Sequence, residues 1–433
     1  MFLLNIGYHW TLPSVLDGLQ GAVLLPVHNT SARVERERRA GDLKRFLMDP
    51  QLYLAGLDAQ GRTKACARLA SYPWFRVPSV EAYDSSSIGR RDWETDLRGR
   101  IEGLWPGRVP DDVKQSCLDA IEFQERIGCT HVILPAPLIT EREDEGESAG
   151  TWLDTGIAAA QELDVTLPLL ATVAISEVAL NDAAFEDDGL LEGVIDHVTA
   201  RSTDIEGVYI VVVQSRRPVH PFQVSTSVAK AYFRLTDGFR NAGMGEIVVN
   251  FADLAGLVAC GLGATGFATG PSSSLRCTNI EGFLDEGGGR ALPYYYSHKT
   301  VGEYLSEGDL GRIVKAKVFR RIADKTRFSE ALVRMLDRGG SAGAVPAWAE
   351  SQNNRRDAQR HFIQRIVVAG RQLAAREALD ERRDAVVDWL GDAEANALLV
   401  EKKVGAQHGS SLGRRAPVLE WLTFLEELTG PET

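Results

Sequence analysis

Residues 208–214 read VYIVVVQ and residues 246–251 read EIVVNF. Between them Val228, Tyr232, Leu235 and Phe239 recur at helical spacing, and Gly243 ends the segment. DLAGLVACGLGA (residues 253–264) and GATGFAT (residues 263–269) then supply a short helix and another apolar run. Runs that are apolar throughout, rather than alternating, fit strands buried on both faces, as a parallel sheet requires. A strand, a helix and a second parallel strand make a right-handed βαβ unit.

The same alternation extends in both directions. Further candidate strands are residues 22–29 (AVLLPVHN), 51–58 (QLYLAGLD), 131–138 (HVILPAPL), 166–175 (TLPLLATVAI) and 291–297 (ALPYYYS). Ahead of the run at 131–138, Val113, Cys117, Ile121 and Ile127 mark one helical face. Asp111 and Asp112 suit its first turn, and Gly128 suits its end. Eight strands in about 280 residues is the count of a (β/α)8 TIM-type barrel. The rival, an open doubly wound sheet, normally carries GxGxxG after its first strand. Here His28-Asn29-Thr30-Ser31 follows instead. The expected fold is therefore α/β: a barrel over residues 1–300, then a helical C-terminal region over 301–433. Helices are expected at 311–338, 353–378, 381–402 and 416–429, with a flexible stretch GGSAGAVPAW at 339–348. Two polar loops, 79–110 and 140–150, interrupt the barrel pattern.

The 433 residues are 44% hydrophobic and 25% charged, with a net charge of −12, which excludes a disordered chain and a whole-surface polyanion binder. That charge is uneven. Residues 311–376 hold 15 Lys or Arg against 5 Asp or Glu, leaving about −22 for the rest. Arg320, Arg321, Lys325, Arg327, Arg355, Arg356 and Arg360 belong to this basic segment, which reads either as a nucleic-acid contact or as a solvated face paired with the acidic body or a partner protein. The five cysteines, Cys66, Cys117, Cys129, Cys260 and Cys277, are scattered and odd in number, which points to a reducing cytoplasm. No run approaches a membrane span, no signal peptide is read, and no His/Cys spacing suggests a metal.

In a barrel, chemistry sits at the C-terminal ends of the strands. That rule selects Asn29, Asp58, Gln214, Asn250, Asp253 and His298, with His28, Ser176, Arg216, Ser297 and Lys299 beside them. Asp58 reads as a proton-transfer carboxylate or as the cap of the next helix, and Asp253 as catalytic or as a first-turn acid. Gln214 can present a donor and an acceptor to a planar heterocycle. Asn29, Asn250 and His298 are further substrate-binding candidates. Ser272, Ser273, Ser274 and Arg276 form a phosphate-binding candidate after the seventh strand. No cofactor is specified, although a phosphate-bearing one such as FMN would suit the last group.

Four stretches, in order, resemble the tRNA-guanine transglycosylase-like barrels. They are LLPVHNTS (residues 24–31), KRFLMDPQLYLAGLDAQG (44–61), VYIVVVQ (208–214) and DLAGLVACGLGATGFATG (253–270). The resemblance implies that Asp58 is the general acid/base and Gln214 the base-recognising residue. The family's nucleophilic aspartate falls at Ala268, its Ser-Gly-Gly is Ala59-Gln60-Gly61, and its zinc ligands are absent. What is implied is a divergent relative acting on a base of DNA or RNA. Two other readings stand beside it: a phosphate- or FMN-binding small-molecule barrel enzyme, and a catalytically silent scaffold for a partner protein.

Overall fold

Short apolar runs with no polar alternation fold here into parallel strands sealed on both faces. The computed structural model describes residues 1–7, 13–37, 43–57, 61–75, 110–140, 145–181, 189–214, 224–284, 292–352, 354–405 and 415–429. Eight strands form one parallel sheet: β1 (Phe2–Ile6), β2 (Gly21–Leu24), β3 (Arg45–Met48), β4 (Val132–Ile133), β5 (Leu169–Ser176), β6 (Gly207–Val213), β7 (Glu246–Asn250) and β8 (Gly266–Thr269). Their order is β3-β2-β1-β8-β7-β6-β5-β4, with sequence neighbours paired throughout except β3 and β4, which form the two edges. The two edges approach each other through Thr130, whose N–H donates to the Phe46 carbonyl at 2.8 Å just ahead of β4. The result is a (β/α)8 TIM-like barrel followed by C-terminal helices, as the alternation of apolar runs and helices predicts.

Two strand assignments differ from the sequence reading. The run expected at 51–58 is not a strand over its described residues, 51–57. The strand is Arg45–Met48, and Leu52–Leu54 is a single 3-10 turn. QLYLAGLD is the longer apolar run, but Gln51 adopts a left-handed φ of 53° that ends the extended chain. The run at 291–297 is a strand, β9 (Tyr294–Ser297), yet it lies outside the barrel. It pairs antiparallel with β10 (Gly302–Leu305). Its place in the barrel is taken by β1, the apolar FLLNI at the N-terminus, which pairs with both β2 and β8.

The expected helical segments are present with shifted ends. The segment at 311–338 is three short helices, Gly308–Lys315, Phe319–Ile322 and Glu330–Asp337. Three longer ones follow at Arg356–Ala374, Leu379–Val404 and Arg415–Thr429. Phe362, Ile366, Val386, Leu390, Trp421 and Phe424 from these last helices belong to the barrel's own hydrophobic cluster. The Arg356–Ala374 helix packs on β1 with Gly370 against Phe2. A second cluster gathers Tyr295, Tyr304, Leu310, Ile313, Phe319, Ile322, Leu332 and Trp348 around the β9–β10 hairpin. The stretch 339–348 is therefore not a loose linker. It forms two 3-10 turns and buries Trp348, whose indole N–H donates to the Phe328 carbonyl at 3.2 Å. A helix, Glu145–Glu162, begins inside the segment 140–150 expected as an acidic loop.

Candidate functional site

The C-terminal end of the barrel holds a continuous buried polar network, built from Asn5 on β1, Asp49, Gln51 and Tyr53 after β3, Tyr209 within β6 and Asn250 at the end of β7. Asp49 comes directly after β3, and its N–H donates to the Leu24 carbonyl at 3.1 Å, so the strand geometry sets its direction. Its carboxylate oxygen Oδ2 accepts from the Tyr53 hydroxyl at 2.6 Å, the Tyr209 hydroxyl at 3.1 Å and Asn250 Nδ2 at 3.5 Å. Oδ1 accepts from the Gln51 backbone N–H at 3.0 Å. Asn250, the last residue of β7, also donates to Tyr209, while its Oδ1 accepts from Asn5 Nδ2 at 2.8 Å. Asn5 lies on β1 and donates as well to the Leu275 carbonyl at 2.8 Å. Strands β1, β3, β6 and β7 thus converge on one chain of side chains, all inaccessible to solvent.

Burial pushes the Asp49 carboxyl up from 3.8 to about 6, and the hydrogen bonds from Tyr53, Gln51, Tyr209 and Asn250 hold it from rising further. Burial, and then the charge of Asp49, push the Tyr53 and Tyr209 hydroxyls well above their ordinary value, so both remain donors. A carboxyl titrating near neutrality at this end of a barrel can take up or release a proton under physiological conditions.

Among the described residues, Asn5 Oδ1 lacks a well-formed hydrogen bond, Gln51 Nε2 has only the Tyr53 hydroxyl beside it and Gln214 Nε2 only the Cys277 thiol, each on a residue at most 2% exposed. Buried polar groups are almost always satisfied, so carboxamide atoms left open or weakly met at one end of a barrel are where a ligand or water fits. The backbone around them is strained: Gln51 after β3, and Phe251 and Asp253 after β7, all adopt positive φ. Non-glycine residues pay about 1–3 kcal/mol for such conformations, and they cluster at functional sites.

The residues singled out from sequence fall into different settings. Asp58 and Arg216 lie outside the described residues. Asn250 is a central member of the network. Gln214 follows β6 by one residue, and its N–H donates to the Thr278 carbonyl at 2.9 Å. Asp253 is buried on the strained loop after β7, its N–H donating to the Arg276 carbonyl at 3.2 Å. Asn29 is buried but tied down: Nδ2 donates to the Gly7 and Leu25 carbonyls, and its own carbonyl accepts from Tyr72. His28 is buried, and desolvation aided by Arg68 lowers it to about 4, so it is neutral.

The phosphate-binding candidate loses its cation to the fold. Arg276 pairs with Glu303 at 3.1 Å, both side chains under 5% exposed, donates to the Gly270 carbonyl and lies 3.5 Å from the Phe362 ring centroid. Ser272 and Ser274 stand 3.5 Å apart, and Ser273 heads the short helix Ser273–Arg276. His298 sits at the turn of the β9–β10 hairpin, stacked on Trp389 and beside the Tyr296 hydroxyl, away from the network. Burial lowers it to about 3.

Of the basic segment, Arg320 pairs with Asp337, Lys325 with Glu330, Arg327 with Asp17 and Arg360 with Asp357. Arg321, Arg355 and Arg356 are exposed, with no carboxylate partner among the described residues. Among the described residues, too, there is no cluster of three metal-ligating side chains, and no helix is long and apolar enough to cross a membrane. All five cysteines are free and buried.

The opposite, N-terminal end of the barrel is closed by an Arg45–Glu246 ion pair with His131 3.4 Å from Glu246. A hollow of about 690 Å³ at that same end is bordered by residues 164–169 and 202–206. It is remote from the carboxylate, and the N-terminal face of such barrels serves stability rather than chemistry.

Sequence reasoning missed Asp49, Gln51, Tyr53 and Asn5. The signal was the one that selected Asp58, a carboxylate closing an apolar run. It was applied one run too late, because RFLM is short. No protein-family model, no curated protein and no solved structure matches this chain.

Proposed function

We propose that the chain is a base-handling barrel enzyme. It holds a neutral heterocyclic base at the C-terminal end of the barrel and exchanges a proton with it through Asp49, on a nucleic-acid substrate, in the manner of the transglycosylase-like barrels. The observation that supports this is the set of buried carboxamides of Asn5, Gln51 and Gln214, with atoms open or only weakly met among the described residues, at the same barrel end as a carboxyl titrating at about 6. Planar bases present neutral donors and acceptors in the plane of the ring, which is what carboxamides match. The proton-transfer role passes from Asp58 to Asp49, because Asp49 is the carboxylate tied into this network.

A phosphate-first reading has less support, since Arg276 is already committed to Glu303. On the nucleic-acid side, Arg321, Arg355 and Arg356 are the ones among the seven named cations left for phosphate contacts.

The test is calorimetric titration of the full chain with free purines and pyrimidines between pH 5 and 8. The expected result is binding of at least one base, with a strength that changes around pH 6 and stops changing in Asp49→Asn. Absence of binding by any base across that range overturns the reading.

A further inference from the structure

The two oxygens of the Asp49 carboxyl are not equivalent. Oδ2 accepts from the Tyr53 hydroxyl at 2.6 Å and the Tyr209 hydroxyl at 3.1 Å, with Asn250 Nδ2 also 3.5 Å away. Among the described residues Oδ1 accepts only the Gln51 backbone N–H, at 3.0 Å. With about two lone-pair sites on each oxygen, Oδ2 is filled and Oδ1 keeps one site open.

The direction of each tyrosine hydrogen is set by neighbours whose own polarity is fixed. Asn250 Oδ1 accepts from the Phe251 N–H at 2.6 Å and from Asn5 Nδ2 at 2.8 Å. Asn5 is oriented in turn, because its Nδ2 also donates to the Leu275 carbonyl at 2.8 Å, a group that can only accept. The Asn250 atom facing Tyr209 is therefore Nδ2, which donates to the phenol oxygen. Tyr209 must then send its own hydrogen to Asp49 Oδ2. Gln51 is fixed the same way: its Oε1 accepts from the Val27 N–H at 2.8 Å, so the atom beside the Tyr53 hydroxyl is the donor Nε2. Tyr53 likewise points its hydrogen at Oδ2.

A proton on Oδ2 would meet two O–H groups and an N–H already aimed at it. Turning either hydroxyl away would leave a buried donor with no other acceptor among the described residues, which is costly away from water. A proton on Oδ1 leaves all of these bonds in place. We infer that Asp49 carries its exchangeable proton on Oδ1, and that Tyr53 and Tyr209 are the positioning residues that keep it off Oδ2. This deepens the proton-exchange reading and rests on it for a role in turnover. As an acid, Asp49 breaks the O–H bond at Oδ1, the electron pair stays on the carboxylate, and the proton passes to a lone pair of the base. As a base it runs the same step in reverse, and in both directions Oδ2 keeps its donors.

The experiment is infrared difference spectroscopy of the full chain, without ligand, as pH falls from about 8 to 4. The C=O stretch of protonated Asp49 is identified as the band missing in Asp49→Asn. If the proton is on Oδ1, the C=O oxygen is Oδ2. Tyr53→Phe and Tyr209→Phe should then each move the band to higher frequency and raise its pH midpoint by about one unit, since each removes a donor that favours the carboxylate. Circular dichroism and unfolding temperature should stay close to the parent. Without any substitution, incorporation of 3-fluorotyrosine, whose more acidic hydroxyl donates more strongly, should move the band to lower frequency. A band that neither the Phe variants nor fluorotyrosine moves puts the proton on Oδ2 and overturns the assignment. A midpoint that both Phe variants leave unchanged or lower overturns the positioning role. No Asp49 band across the range overturns the inference and the proton-exchange reading together. Bands that behave as expected in a chain that binds no free base overturn base binding alone and leave the placement of the proton standing.

Discussion

Replacing Asp49 by Asn isolates the energetic consequence of burying a carboxyl inside the barrel. In the folded chain this group titrates at about 6 instead of 3.8, with burial as the largest cause and the donors of Tyr53, Gln51, Tyr209 and Asn250 opposing it. The folded protein therefore keeps a proton on Asp49 in a range where the unfolded chain has already released it. Stability from this group is complete below pH 3.8, falls as pH rises to about 6, and then stays at its lower level. At about 1.36 kcal/mol for each tenfold change in proton activity, the loss over that window is about 3 kcal/mol. Asp49→Asn removes the titration. It also sets an amide against the Asn250 donor, but that cost does not vary with pH. Urea unfolding of both proteins at several pH values from 3.5 to 7.5 yields the difference in unfolding free energy, in which the other ionisable groups cancel. The difference should move by about 3 kcal/mol in favour of the variant as pH rises. A difference that stays constant across the window would refute the claim that Asp49 holds a raised proton affinity. A movement of opposite sign would show that the tyrosine and amide donors outweigh burial.

Three further outcomes follow from other parts of the molecule. Glu303→Gln leaves the Arg276 guanidinium buried without its counter-charge, and should destabilise the chain by about 3–5 kcal/mol in chemical unfolding. The double change Arg276→Met with Glu303→Leu should recover most of that loss. Lys317 is exposed and sits at φ 59° just past the end of the Gly308–Lys315 helix, so Lys317→Gly should stabilise the fold by about 1 kcal/mol, seen as a higher urea midpoint at unchanged slope. Reversing Arg321, Arg355 and Arg356 to Glu together should weaken binding of a single-stranded oligonucleotide at low salt and flatten the dependence of log K on log salt by about 2. An unchanged salt slope would remove these arginines from any phosphate contact.

Much of the fold is legible in the amino-acid order. VYIVVVQ, EIVVNF and TLPLLATVAI are strands because no register of a half-exposed sheet can accommodate so many consecutive apolar residues. The helices at Arg356–Ala374 and Leu379–Val404 follow from apolar faces repeating every three to four residues. The candidate site was harder to read. Asn250 and Gln214 were found because they close long, unmistakable strands. Asp49 and Asn5 were missed because RFLM and FLLNI are four and five residues long, too short for periodicity to speak. His298 and Arg276 have site-like chemistry in sequence, yet the structure spends both on holding the β9–β10 hairpin and the C-terminal helices against the barrel.

The sequence by itself determined the parallel α/β architecture and the helical C-terminal region, because both rest on local patterns of apolar residues that only one kind of burial can satisfy. The tertiary structure alone decided which eight strands close the barrel. YYYS and FLLNI are equally good strands in isolation, and the choice depends on partners more than 200 residues apart, such as Leu4 beside Thr269. It also decided the chemistry. Asn5, Asp49, Tyr209 and Asn250 are scattered along the chain, and the raised proton affinity of Asp49 and the hydrogen bonds that oppose it arise only when the barrel brings these residues out of water together.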